Sequence, residues 1–398
     1  MNGISDTFKR LKDEYLLLAN SEENSRRRRM WQGLARSGRD QYRPTPKSDR
    51  SWKDGEIPIT VDLQNPVWSL LFGFDMEKYY FDAQEYFENY LRIMIYRFKN
   101  FQDDTFLTMD IPMWGTCVME GSLFNIPFHV FKDKDPWLDP EPILKDEEDL
   151  KRMPEIDFRT SGAMPVLINM YEELCGLGGD EFDVLFPEWI RGPFGVGVYI
   201  RGYEDLLVDM LANEDFYHAY MRLIVDARKK WFSGLEKYLG RSAGKANMFN
   251  DEVSGQLISS AMYRDKVLPF EQDLCDFHGG LLYWHSCADV SSLTDEIAKL
   301  EDIELFNVGA WTSAYRAGIS FRDKTPLEIC MHPQIDIHEG TEQIMKERVR
   351  SILDECYRAD VAGMGLKVSA LNVQNSLEEL LNRVNLWIKA AREVSETA

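Results

Sequence analysis

Tyr263 to Cys287, YRDKVLPFEQDLCDFHGGLLYWHSC, decides how the rest of the chain is read. Its first part has the composition of an amphipathic helix, and Gly279 and Gly280 follow where a helix is commonly capped. LLYW is then an apolar run of the length of a buried strand. A helix, a glycine stop and a short apolar strand make one unit of a parallel α/β sheet, because parallel strands need a helical crossover between them.

The unit repeats on both sides. Downstream, helical VSSLTDEIAKL precedes the strand IELFNVG, then LEICMHP; the long helix TEQIMKERVRSILDECYRADV leads to the strand GLKVSALNV, and LEELLNRVNLWIKAAREVSE closes the chain. Upstream, GPFGVGVYIRG opens the regular alternation, a long helical stretch follows from Glu204, and ANMFNDEV comes next. Ile57 to Leu63, IPITVDL, is the first strand, and Met76 to Tyr96 an amphipathic helix whose aromatic stripe reads as core packing. Thr105 to Gly115, TFLTMDIPMWG, reads as a buried strand with an acid, Asp110, near its end. HVFKDKDPWLDPEP lies in a long irregular insertion of the kind that shapes a binding face. About eight strands, without a Gly-x-Gly-x-x-Gly after the first, fit a closed barrel better than an open doubly wound sheet. The expected fold is a TIM-type (β/α)8 barrel over residues 56–398, with an N-terminal helical segment and arm over 1–55 and the insertion near the barrel mouth.

Composition bounds the partners. The chain has 398 residues, 44% hydrophobic and 28% charged, enough to bury a substantial core. Its 67 acidic against 46 basic residues give a formal charge of -21, which repels a phosphate backbone and argues against nucleic acid. The basic run SRRRRM reads as a solvated surface segment. Six cysteines without a compact framework suit a reducing compartment. No secretory leader or long apolar stretch stands in the sequence, so the expectation is a cytoplasmic protein with no membrane partner.

In a barrel of this kind chemistry sits where strands end. His285 and Cys287 follow LLYW, and the two-residue period of a strand sends both to one side, where an imidazole nitrogen and a thiolate can meet on a zinc ion. The pair alone is weak evidence for a metal, and an ordinary buried His and Cys at a strand end is the simpler reading of it. Other strand ends offer further ligands: Cys330 of LEIC, Glu120 and Cys117 in the loop GTCVMEG, and Asp251 and Glu252 in FNDEVSG. The metal candidates are His285 and Cys287, completed from Cys330, Glu252 and Glu120; Asp110, Asp251 and His332 are the acid–base candidates. Cys330 is the first choice for a third ligand, because LEIC ends a strand between the HSC strand and the last one. His278 reads as a structural residue at a helix end, where a cationic imidazole is favoured by exposed carbonyls, and His332 and His338 as loop residues.

Taken in chain order, FPEWIRGPFGVGVYIRGYEDLLVDMLANEDF, FNDEVSGQ, MYRDKVLPFEQDLCDFHGGLLYWHSCADVSSL and GTEQIMKERVRSIL resemble the uroporphyrinogen decarboxylase superfamily over about residues 55 to 395. The resemblance implies a TIM-type barrel and one of two chemistries. The porphyrinogen decarboxylases are metal-free; the methyltransferases bind zinc through a His-x-Cys and a later cysteine. His285-Ser286-Cys287 is similar to the second group, but Ser369 and Ala370 stand where its third ligand cysteine is expected, and Ala288 replaces the usual glycine. A carboxylate in place of one thiolate makes a harder, more Lewis-acidic zinc, suited to drawing charge from a leaving oxygen. The implied activity is therefore O-demethylation: transfer of a methyl group from a small aromatic methyl ether to the Co(I) of a separate corrinoid protein. Trp114, Trp284 and Trp311 are candidates to wall the substrate. Cobalamin is expected on the partner, since no Asp-x-His-x-x-Gly motif is present and DIHEG has the wrong spacing. A methylcorrinoid:thiol methyltransferase, a porphyrinogen decarboxylase and a non-catalytic small-molecule binding protein are the alternatives, and a homodimer is an open expectation.

Overall fold

A computed structural model describes residues 5–35, 43–323 and 325–397, with backbone alone at 34, 35, 43, 116 and 117. Eight parallel strands follow one another along it: β1 (Ile59–Leu63), β2 (Asp110–Pro112), β3 (Asp183–Leu185), β4 (Ala246–Phe249), β5 (Leu281–His285), β6 (Phe306–Val308), β7 (Leu327–Cys330) and β8 (Met364–Leu371). Six of them form one curled sheet in the order β1-β8-β7-β6-β5-β4, while β2 and β3 pair separately. Among the described residues no ladder joins β1 to β2 or β3 to β4; a single bridge, Arg191 to Phe249, links the chain after β3 to β4. The α/β architecture is as expected, but the sheet is open rather than a closed eight-stranded barrel.

The physical reason is visible at the edge of β1. Its Ile59 N–H donates to Asp104 Oδ2 at 2.9 Å and its Val61 N–H to Asp103 Oδ2 at 3.2 Å. Carboxylates thus satisfy donors that a neighbouring strand would otherwise take. Asp104 also accepts from the Arg392 guanidinium of the closing helix Leu377–Ser395 at 2.7 Å. Asp103 lies 3.7 Å from Arg27, whose guanidinium donates to the carbonyls of Phe98, Phe101 and Thr105. Arg27 is therefore a buried clasp for the N-terminal helices Asp6–Ala19 and Glu22–Arg28, while Arg26, Arg28 and Arg29 of the same basic run are exposed as expected.

Three elements differ from the sequence reading. TFLTMDIPMWG yields only the three-residue β2, flanked by irregular chain. GPFGVGVYIRG is the helix Pro193–Arg201, entered through Gly192 with proline at its first turn, where the missing N–H costs nothing. GTCVMEG is the start of a helix, Thr116–Leu123, rather than a loop; the Cys117 side chain lies outside the described residues. Within the insertion a short antiparallel pair, Phe128–His129 with Trp137–Leu138, lays Leu138 over Gly121, where a Cβ would come within 2.3 Å of the leucine methyl. No helix among the described residues is long and apolar enough to cross a membrane.

Candidate metal centre

At the end of β5, alternation divides LLYWH into two faces. Trp284 turns outward and donates from Nε1 to Glu271 Oε2 of the helix Leu268–His278 at 3.1 Å. Tyr283 and His285 turn the other way. The His285 ring packs in a cluster with Phe249 and Tyr283, with centroids 4.8 and 5.6 Å away. Beside it, Phe249 ends β4, in register with His285, and the chain turns there into Asp251 and Glu252.

The three side chains meet at one point. His285 Nε2 is 3.0 Å from Asp251 Oδ1 and 3.2 Å from Cys287 Sγ, and all three ligand atoms lie within 4.8 Å of one another. Cys287 is exposed, so the cluster opens to solvent. The donor set of carboxylate, imidazole and thiol suits zinc. In a tetrahedral site with bonds of about 2.0–2.3 Å, ligand atoms sit roughly 3.3–3.7 Å apart. Small rotations of Asp251 and Cys287 open the observed gaps to that spacing, and a three-ligand protein set leaves a position for another ligand. The residues fit the ion.

Arg191 balances the cluster from below. Its Nη1 reaches Asp251 Oδ2 and lies 3.3 Å from both Glu252 oxygens. Burial pulls the Arg191 pKa down, but the Asp251 and Glu252 carboxylates outweigh it and hold the guanidinium well above its ordinary value. Burial holds Glu252 above the usual carboxylate range, against the opposing pull of Arg191 and with a further upward push from Asp251. Glu120 accepts the backbone N–H groups of Ile190 and Arg191 at 2.8 and 2.9 Å and so fixes where Arg191 stands.

The expected site residues separate accordingly. His285 and Cys287 are together, joined by Asp251 from the acid–base set; Glu252 and Glu120 stand behind it on Arg191 and its backbone. Cys330 ends β7, buried, and accepts from Asn307 Nδ2 at 3.3 Å; it is not within the three-residue cluster. Asp110 is the first residue of its strand, whereas His285 is the last of its own, and the two are not brought together. His332 caps the turn Pro333–His338, its Nδ1 accepting from Gln334 and Ile335 N–H at 3.2 and 3.1 Å, and packs edge-on against Trp311. Of the three tryptophans, Trp114 and Trp284 are buried and hydrogen-bonded within the core, and Trp311 alone is exposed. At the position where the resemblance places a third cysteine, β8 slips register between Val368 and Leu371 and Ala370 adopts a left-handed φ of 59°. Arg191 was missed in the sequence; its only signal there is its place in WIRGPF.

The uroporphyrinogen decarboxylase (URO-D) family model matches residues 106–371. The chain belongs to that family. A comparison with curated proteins finds no match. Among solved structures, a methyltransferase from Methanosarcina mazei superposes with a TM-score of 0.58 over 87% of this chain and 98% of the other, at 12% sequence identity. That likeness is one of fold. Within the URO-D family, this chain carries a His/Cys/Asp cluster able to hold a metal ion.

Proposed function

We propose that this URO-D family protein is a zinc-dependent methyltransferase that passes the methyl group of a methoxylated aromatic compound to the Co(I) corrinoid of a separate protein. The observation that carries the reading is the meeting of Asp251, His285 and Cys287 at the strand ends of this fold. An aryl methyl ether resists attack because aryloxide leaves poorly, so the task is to stabilise negative charge developing on the ether oxygen. Zinc, when bound, supplies a Lewis acid for that oxygen. Asp251, His285 and Cys287 would hold it, with Cys330, two strands along on β7, the further candidate ligand. Arg191 pairs with Asp251 and orients it, and Glu252, whose pKa is raised by burial, is the group beside it that would supply a proton to the leaving oxygen. The methyl–oxygen bond breaks, the methyl carbon passes in line to the partner's cobalt, which gives the electron pair, and the oxygen leaves with a proton as a phenol. Exposed Leu257, Trp311 and Ile335, on chain following β4, β6 and β7, give the partner an apolar rim to meet.

The family name itself supports a second reading, porphyrinogen decarboxylation. It calls for grouped arginines to hold several substrate carboxylates; of Arg27 to Arg29, Arg27 is committed to backbone carbonyls, while Arg28 and Arg29 are exposed. Protein purified without chelator is expected to carry stoichiometric zinc, which the His285→Ala/Cys287→Ala double variant loses; equal zinc in both removes this assignment. Mixed with a methoxylated aromatic and a Co(I) corrinoid protein, the enzyme is expected to produce the methyl–cobalt absorption spectrum. Turnover of a porphyrinogen without corrinoid would establish the decarboxylase instead.

A further inference from the structure

His285 does not end at its own ring. Its Nδ1 lies 3.1 Å from the hydroxyl of Tyr283, two residues back on the same face of β5, and that hydroxyl in turn donates to Glu328 Oε1 on β7. Glu328 is buried and is held by two further donors: Asn307 Nδ2 of β6 at 3.1 Å and Lys367 Nζ of β8 at 3.3 Å. Lys367 also pairs with Asp62 of β1 at 2.8 Å, and Asp62 with Arg97 at 3.0 Å. Residues of β5, β6, β7, β8 and β1 are thus joined through one buried polar chain, inside an otherwise apolar core.

The direction of the chain follows from its donors. Lys367 and Asn307 both donate to Glu328, which marks it as an ionised acceptor with no proton to give back. The single proton of Tyr283 is spent on Glu328, so the tyrosine oxygen can only accept from His285. An imidazole proton is thereby held on Nδ1, and Nε2 faces Asp251 and Cys287, where a metal ion would take its lone pair. Phe249 and Tyr283 pack against the ring and limit its rotation.

We propose that Tyr283 and Glu328 are positioning residues for a metal ion at His285: the relay His285 Nδ1–H to Tyr283 O–H to Glu328 sets the tautomer and orientation of the imidazole and increases the basicity of Nε2. This rests on the metal reading above. Carboxylates that receive the second N–H of a metal-binding histidine, here through one hydroxyl, commonly govern affinity about 10–100-fold. Lys367 compensates the charge of Glu328 at depth, where an isolated carboxylate would be costly, and Arg97 balances Asp62, which shares that lysine.

Two measurements separate the relay from the metal site. Zinc affinity is measured by chelator competition for the wild type, Tyr283→Phe and Glu328→Gln, with folding verified by thermal unfolding. The wild type is expected to bind one zinc, and Tyr283→Phe to bind the same stoichiometry about 10–100-fold more weakly. Glu328→Gln, which still offers an oxygen to Tyr283 but no charge, should fall between them. Independently, two-bond nitrogen–proton NMR correlations of the histidine-labelled, metal-free protein are expected to show His285 protonated on Nδ1 in the wild type. That preference should be lost in Tyr283→Phe. A wild type that binds no zinc but shows the Nδ1–H form ends the metal reading and leaves the relay as a structural network. A wild type that binds zinc while both variants keep its affinity and the Nδ1–H form overturns the relay and leaves the metal site standing.

Discussion

Arg191 is a buried guanidinium whose neighbours were selected by backbone space as much as by charge. It faces Asp251 and Glu252, and the chain that follows it, GPFGVGV, passes close to both. At Gly195 an added Cβ would stand 2.4 Å from Glu252 Oε2 and 2.7 Å from Arg191 Cδ; at Gly192 it would stand 1.8 Å from Asn250 Oδ1. Glycine is needed at these positions for the approach of side chains, not for a special backbone angle. Gly195→Ala is expected to push Glu252 and Arg191 apart, lowering stability by about 1–3 kcal/mol as overpacking does. Denaturant unfolding reads this directly. An unchanged midpoint, with zinc affinity also unchanged, would show that the Arg191–Glu252 contact yields without cost.

The helix Leu268–His278 carries two buried titratable groups that oppose each other. His278, its last residue, packs against Phe232 with ring centroids 4.3 Å apart, and burial pushes its pKa down to about 3, aided by Arg228. The imidazole is therefore neutral rather than the cation expected at a helix end; desolvation exceeds the benefit from the terminal carbonyls. Glu271, two turns earlier, receives Tyr263 Oη at 2.6 Å and Trp284 Nε1 at 3.1 Å on Oε2, and burial raises it to about 7 despite these donors. Its folded value lies above the unfolded one of 4.5, so its contribution to stability is full below pH 4.5 and is lost as the pH rises through about 7. Glu271→Gln removes that loss. The melting temperature of the variant relative to wild type is expected to rise between pH 5 and pH 8, corresponding to a change on the order of 3 kcal/mol. A difference that stays flat with pH would mean that Glu271 is ionised throughout.

At the scale of the molecule, the open sheet is held by side chains that connect its edge to both ends of the chain. Asp104 bonds the edge of β1 and the C-terminal helix through Arg392, while its carbonyl accepts from Trp31 Nε1 at 3.0 Å. Asp104→Ala leaves the Ile59 N–H buried without its acceptor, a loss of about 1–3 kcal/mol before the Arg392 contact is counted. Hydrogen exchange should show β1 amides exchanging faster in this variant, with the β5–β6 amides far less affected. Uniform acceleration over all strands would instead mark global destabilisation and remove the edge role. The same carboxylates are why the strand succession predicts a closed barrel and the structure is open. Asp103 and Asp104 lie in irregular chain after a helix, and nothing in their spacing says that they will replace a strand.

The helix–strand succession from β4 to the closing helix and the convergence of His285 with Cys287 follow from local periods: apolar residues punctuated by glycine, and a two-residue alternation along one strand. Seven of the eight strands and the polar face of LLYWH are legible for that reason; β3, Asp183–Leu185, is not, because three residues carry no period, and GPFGVGVYIRG, which opens the alternation in the sequence, folds as a helix. Partners distant in sequence are not legible. Asp251 joins the cluster, in preference to its neighbour Glu252, because the turn after β4 directs one carboxylate to His285 and both toward Arg191, 60 residues before Asp251. Tyr283 meets Glu328 across 45 residues because β6 lies between their strands and the sheet curls to bring their side chains together. Such meetings are set by sheet curvature, by which backbone lets a side chain approach, and by how buried charges are neutralised. These are properties of the packed chain, and only the tertiary structure decides them.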